Sequence, residues 1–206
     1  MKRLNIVVMV MFILAGSMTA QAQKGELKLD VNYSVGFPLG TYKDLMKDHS
    51  YKGWQANLLY GISDKFSIGL GSGLQDFYNK EDRRIYNTGE GQISAVVSTS
   101  IQTVPIMLTG RYQFNNDKII QPYASLGVGG NMIMYSQYLG EFGDNQNSFG
   151  LAVRPELGVF VPFRKGGDYG FQLGGNFNYM PYKKNGLENL NHASVFAGVR
   201  LPLRGD

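Results

Sequence analysis

The chain has 206 residues, no cysteine, 17% charged residues and a formal net charge of +4 at pH 7. Without cysteine a disulfide scaffold and a thiolate metal site are both excluded, and no basic run is dense enough to follow a phosphate backbone, which argues against nucleic acid as a partner. Charge is scarce against the roughly 25% usual in soluble domains, and 27 glycines exceed the usual share of about 7%, a pairing that asks for a structural cause.

The first segment reads as an export signal. Lys2 and Arg3 precede an apolar run from Ile6 to Ala15, and Ala20-Gln21-Ala22 has the A-x-A form of a signal-peptidase site. The run is shorter than the 20 or so apolar residues that a spanning helix needs. The expected division is therefore a signal peptide over 1–22 and one domain over 23–206, whose formal charge falls from +4 to +2 once Lys2 and Arg3 are removed.

Alternation begins directly after the signal. In ELKLDVNYSVGF, residues 26–37, the odd positions are Leu27, Leu29, Val31, Tyr33, Val35 and Phe37, whereas Glu26, Lys28, Asp30, Asn32, Ser34 and Gly36 fall between them. That period of two predicts a strand with one apolar face. Seven more segments follow the same rule, with apolar faces carried in turn by Trp54 and Leu58, Ile68 and Leu70, Ile106 and Leu108, Leu126 and Val128, Leu151 and Leu157, Phe171 and Leu173, and Val195 and Leu201. The fifth is the least regular, since Tyr123 and Ile133 sit on its polar side. Between the strands, residues 39–53, 79–98, 136–147 and 181–191 form long polar connections, whereas 63–65, 115–118 and 164–168 are short turns rich in Asn, Asp and Gly. Residues 42–48 admit one helical turn.

Eight alternating strands with alternating connection lengths predict an all-β, eight-stranded antiparallel up-and-down β-barrel. Three features choose lipid over water as the solvent of its apolar face. The polar faces hold mostly Gly, Asn, Gln and Ser, with few charges beyond Glu26, Lys28, Asp30, Arg111, Arg154, Glu156 and Arg200, as suits an eight-strand interior only wide enough for side chains. Aromatic residues such as Trp54, Phe66, Tyr112, Phe114, Phe163, Tyr169 and Tyr179 mark strand ends, as interfacial girdles do. Long connections on one side and short turns on the other match extracellular loops and periplasmic turns.

The chain resembles the small outer-membrane β-barrel domain family, the porin-family or OmpX/OmpW-like proteins of Gram-negative bacteria. The residues that carry the resemblance are Gly36-Phe37-Pro38-Leu39-Gly40 with Tyr42, Val104-Pro105-Ile106-Met107-Leu108, Gln121-Pro122-Tyr123 with Gly127 and Gly129, and Pro155-Glu156-Leu157-Gly158. Family members usually close on a terminal aromatic; here Gly198, Leu201 and Leu203 resemble that signal, and Arg204-Gly205-Asp206 follows without it. The resemblance implies a transmembrane barrel in the outer membrane, in contact with its lipids, and leaves activity open among adhesion, transport and structural roles.

The residues themselves offer little catalytic chemistry. No phosphate loop or zinc-protease motif is present, and His49 and His192 are the only imidazoles, so neither a metal nor a cofactor is expected. Arg154 and Glu156 share a face with Arg111 and Arg200 and are expected to form a polar network filling the lumen. His192 and Ser194, also on one face, have the spacing of a base and nucleophile as used by lipid A deacylases, but such a site needs a carboxylate to orient the imidazole. The expected role is non-enzymatic: surface interaction or envelope structure by a monomer whose four long loops meet an extracellular ligand. The alternatives are a small-solute channel, a soluble lipocalin-like periplasmic barrel and, last, the deacylase.

Overall fold

A computed structural model describes residues 25–88, 91–115, 119–139, 142–165, 167–184 and 186–203. The export signal expected over 1–22 lies outside the described residues. The elements in chain order are β1 (Leu27–Pro38), α1 (Thr41–Leu45), β2 (Ser50–Gly61), β3 (Phe66–Thr88), β4 (Gly91–Gln113), β5 (Gln121–Leu139), β6 (Phe142–Pro162), β7 (Gly170–Asn178), β8 (Pro181–Lys184), β9 (Leu187–Asn189) and β10 (His192–Leu203).

Strands β1 to β7 and β10 form a closed antiparallel ring in which each strand pairs with its chain neighbours and β10 returns to β1. The closing register runs from Leu27 opposite Leu203 to Pro38 opposite His192. A closed ring satisfies backbone donors and acceptors within itself, which is what lets strands cross a bilayer.

The parity read from the sequence fixes which face is which. Leu157 is 68% exposed and Leu173 59%, while Asp30, Asn57, Arg111 and Arg200 on the alternate positions are buried. The apolar face therefore points outward, the opposite of a soluble ligand-binding barrel. Near the chain ends and short turns, Tyr60, Tyr112, Phe114, Phe163 and Tyr169 ring the outer wall; toward the other end stand Tyr33, Trp54, Tyr78, Phe177 and Tyr179. At that second end the outer face turns polar, where the Asp76 carboxylate accepts hydrogen bonds from Ser100 Oγ (2.9 Å) and Gln102 Nε2 (3.3 Å).

Two of the three expected short turns reverse the chain as expected, and residues 116–118 of the third lie outside the described residues. Residues 62–65 reverse the chain with Ile62 and Ser63 both donating to the Phe66 carbonyl, at 3.0 and 3.1 Å, and Phe163 donates to the Tyr169 carbonyl at 2.9 Å. The loop end differs from the sequence reading. Residues 79–98 and 136–147, expected as polar loops, are mostly strand: β3 and β4 stay paired as far as Thr88 opposite Gly91, and β5 and β6 as far as Leu139 opposite Phe142. Pairing of β2 with β3 ends at Lys52 opposite Asp76, whereas β4 and β5 stay paired as far as Val97 opposite Leu139, so the two hairpins run on beyond the ring side by side as arms joined to one another. Polar residues on both faces are what a ribbon standing in water requires, and such a ribbon reads as a loop by composition.

The other two connections fold inward. Gly40, at φ 59°, turns the chain into α1, whose Tyr42 and the Met46 that follows it are four residues apart and fully buried. Asn79 Nδ2 donates to the Leu45 carbonyl at 2.8 Å, pinning the end of α1 to β3. The β8–β9 hairpin, turned by Gly186 at φ 75°, buries Tyr182 and Leu187.

Candidate functional site

The barrel interior has two layers of different chemistry. The lower layer, toward the turn end, centres on Asp30, which is fully buried. Asp30 sits opposite Arg200 in the β1–β10 register, and Arg200 Nε donates to its Oδ1 at 2.9 Å. Arg111 reaches across from β4 to pair with the other oxygen of Asp30. Its Nη2 also lies 3.4 Å from Glu156 Oε1, and its Nη1 donates to Gln172 Oε1 at 3.3 Å. Gln55 of β2 donates to Glu156 Oε2 of β6 at 3.3 Å, tying opposite walls.

Three of the four residues expected in a lumen network, Arg111, Glu156 and Arg200, thus meet around Asp30. Arg154 does not touch Asp30 and reaches the others through an amide: its Nη1 donates to Gln55 Oε1 at 3.5 Å, the same Gln55 that donates to Glu156, while its Nε donates to Asn178 Oδ1 at 2.7 Å. The hydrogen-bonded partners of Arg154 are amides, so the four residues share one polar network in which Arg111, Glu156 and Arg200 form the ion-paired part with Asp30 and Arg154 is attached through Gln55. Sequence parity had placed Asp30 on the same face, but parity gives no depth along the barrel and could not identify it as the hub.

Aromatic rings fill the space beside these charges because glycines on the next strand leave room. Tyr123 lies opposite Gly158, where an added Cβ would come within 2.6 Å of the Tyr123 ring. The Arg111 guanidinium stacks over the same ring, 4.1 Å from its centroid, and the Tyr123 hydroxyl donates to Glu156 Oε1 at 3.2 Å. Phe196 covers Gly174 in the same way. Glycine enrichment thus has its structural cause.

The upper layer is apolar, which the polar composition of the connections does not announce. Tyr42, Met46, Phe77, Ile101, Ile133, Met180, Leu187 and Leu190 belong to one buried cluster at the loop end. Tyr42 and Phe77 meet edge-on with centroids 4.9 Å apart, and Leu190 N donates to the Met180 carbonyl at 2.8 Å. Burial, with the Asp76 carboxylate adding to it, raises the Tyr42 phenol well above its ordinary range, so it stays neutral inside this plug. Ile133, out of place on the polar face of an alternating strand, is the sequence signal that the upper interior is apolar.

Against this architecture, the family model described as outer membrane protein beta-barrel domain matches residues 9–201. The chain belongs to that family. It is a bacterial outer-membrane β-barrel protein, and the soluble periplasmic alternative falls with that membership. Among solved structures, Neisserial surface protein A is similar at 18% identity and TM-score 0.52, over 86% of this chain and 96% of that one. The outer membrane protein OprG from Pseudomonas aeruginosa is similar at 13% identity and TM-score 0.50, over 88% of this chain and 97% of that one. These likenesses concern the fold. No curated protein matches the chain in sequence.

Within the outer-membrane barrel, His192 and Ser194 are both buried in the interior. His192 Nδ1 faces the Leu190 carbonyl at 3.1 Å and its ring packs edge-on to Phe77 at 5.2 Å. A backbone carbonyl and a phenyl ring stand where a deacylase-type site would use an orienting carboxylate. Among the described residues, no cluster of three or more His, Cys, Asp or Glu side chains has the spacing to hold a metal ion.

Proposed function

We propose that this protein is a non-catalytic, monomeric barrel whose work is surface interaction or envelope structure, performed at its loop end while the lumen stays closed to solutes. The observation that carries the reading is the contrast between the two hairpin arms, paired well past the ring, and the interior they rise from, crossed by the Asp30 network and capped by an apolar plug. Family architecture puts short turns in the periplasm and long connections outside, so the arms would face the cell exterior, with outer-membrane lipid around the wall and an extracellular ligand at the arms. Loops and extensions on a rigid scaffold are where binding residues gather, and closure of a barrel needs only short turns. Lys80, Glu81, Asp82 and Arg83 concentrate charge on one arm.

Replacing residues 80–90 with a short Asn-Gly turn tests this. The expected result is a barrel that still resists sodium dodecyl sulfate until boiled, in cells that have lost adhesion or ligand capture. Unchanged surface binding after this replacement and the equivalent replacement in each of the other three long connections would contradict the proposal.

A further inference from the structure

Of Arg111, Arg154 and Arg200, all buried, Arg154 alone has no carboxylate partner among the described residues. Asp30 pairs with Arg111 and Arg200, and Glu156 with Arg111, whereas Arg154 is held by the neutral side-chain amides of Asn178 and Gln55. A buried charge is costly unless something of opposite sign lies within reach. Beside Arg154 there is room for it. A cavity of about 10 Å³ is lined among others by Arg154, Gln55, Gln75, Asn178, His192 and Ser194, and no lining residue is acidic.

We propose that this cavity holds one halide ion of the size of chloride as the counter-charge of Arg154. Volume sets the class of ligand: one water needs roughly 10–15 Å³ by this measure, so the space takes a single water or a monatomic ion and excludes phosphate, sulfate and organic anions. Two unused donors supply the contacts. Nη2 of Arg154 makes no hydrogen bond among the described residues, although the residue is only 8% exposed. Ser194, 4% exposed, makes no side-chain hydrogen bond there either, and neither atom is sealed from a particle the size of water.

Charge distinguishes an ion from a water. A water would satisfy a donor but leave the guanidinium unneutralised, whereas a halide accepts from both donors and cancels the charge. His192 turns Nδ1 to the Leu190 carbonyl at 3.1 Å, and Gln75 Nε2 donates to Ser50 Oγ at 2.7 Å, so neither brings a negative group to the space. The proposal is independent of the role assigned to the arms, because it concerns the interior: the folded barrel is stabilised by chloride itself, beyond any effect of ionic strength.

Urea unfolding followed by the fluorescence of Trp54, the only tryptophan, tests it in a halide-free zwitterionic detergent, with chloride varied against a bulky sulfonate at constant ionic strength. The expected result is an unfolding constant that falls about tenfold for each tenfold rise in chloride above the dissociation constant, as one bound ion requires. Arg154→Gln loses this dependence, Ser194→Ala moves its onset to roughly threefold or more higher chloride, and Lys165→Gln, at an exposed turn position, keeps it. Should Arg154→Gln fail to fold by the boiling test, Ser194→Ala against Lys165→Gln decides. An unfolding constant independent of chloride in the parent would mean a water in the cavity and overturn the proposal. Equal chloride dependence in the parent and every folded variant would mean ions bound elsewhere and overturn it as well.

Discussion

Asp30 shows how much one residue carries in a small barrel. It neutralises part of two guanidiniums that have no access to water, and removing one partner of a buried ion pair typically costs about 3–5 kcal/mol, because the survivors remain desolvated. Asp30→Asn is therefore expected to lower unfolding stability by a few kcal/mol in urea titrations of the detergent-solubilised barrel. The effect should exceed that of Lys28→Gln, whose ion pairs sit at the rim. Gly158→Ala addresses the packing beside it. The added methyl would meet the Tyr123 ring, and overpacking of this kind costs about 1–3 kcal/mol, measurable as a lower boiling-shift temperature on gels. Equal temperatures for Gly158→Ala and the parent would show that the ring moves freely.

At the scale of elements, the strands were legible and the connections were not. Strand β1 alternates from Leu27 to Phe37, and β10 alternates from Ala193 to Leu203 except at Phe196 and Pro202, so their faces could be read from the sequence. The arms escaped because polar residues interrupt the apolar alternation by which a strand is read from sequence. The plug escaped for a different reason: Tyr42, Met46, Tyr182, Leu187 and Leu190 are scattered through polar stretches, and only the fold brings them to one mouth. If the plug is a packed element, Leu190→Asp should release it, since Leu190 is fully buried and a buried unpaired carboxylate is strongly disfavoured. The expected outcome is a barrel that still shifts on boiling but is newly cut by chymotrypsin in the 180–190 segment. Resistance equal to that of the parent would mean that the hairpin is held by something other than its buried side chains.

For the whole molecule, fold class, solvent and location were readable because they rest on parity and composition summed over eight strands, where single errors such as Ile133 do not matter. The site was readable only as a set of faces. Arg111, Glu156 and Arg200 converge on Asp30 through register and barrel depth, which no single strand encodes, and the same geometry leaves Arg154 linked to them only through Gln55.

The account stands or falls on a closed lumen, since a conducting barrel would place its function in the pore and not at the arms. Planar-bilayer recording of the purified, heat-modifiable protein is the most direct measurement. Ties between opposite walls through Arg111, Asp30, Gln55 and Glu156, beneath an apolar plug, predict no stepwise current, both in the parent and in Leu190→Asp, where the polar layer persists. Stable, reproducible conductance steps from the parent protein would contradict the account and make this outer-membrane barrel a channel.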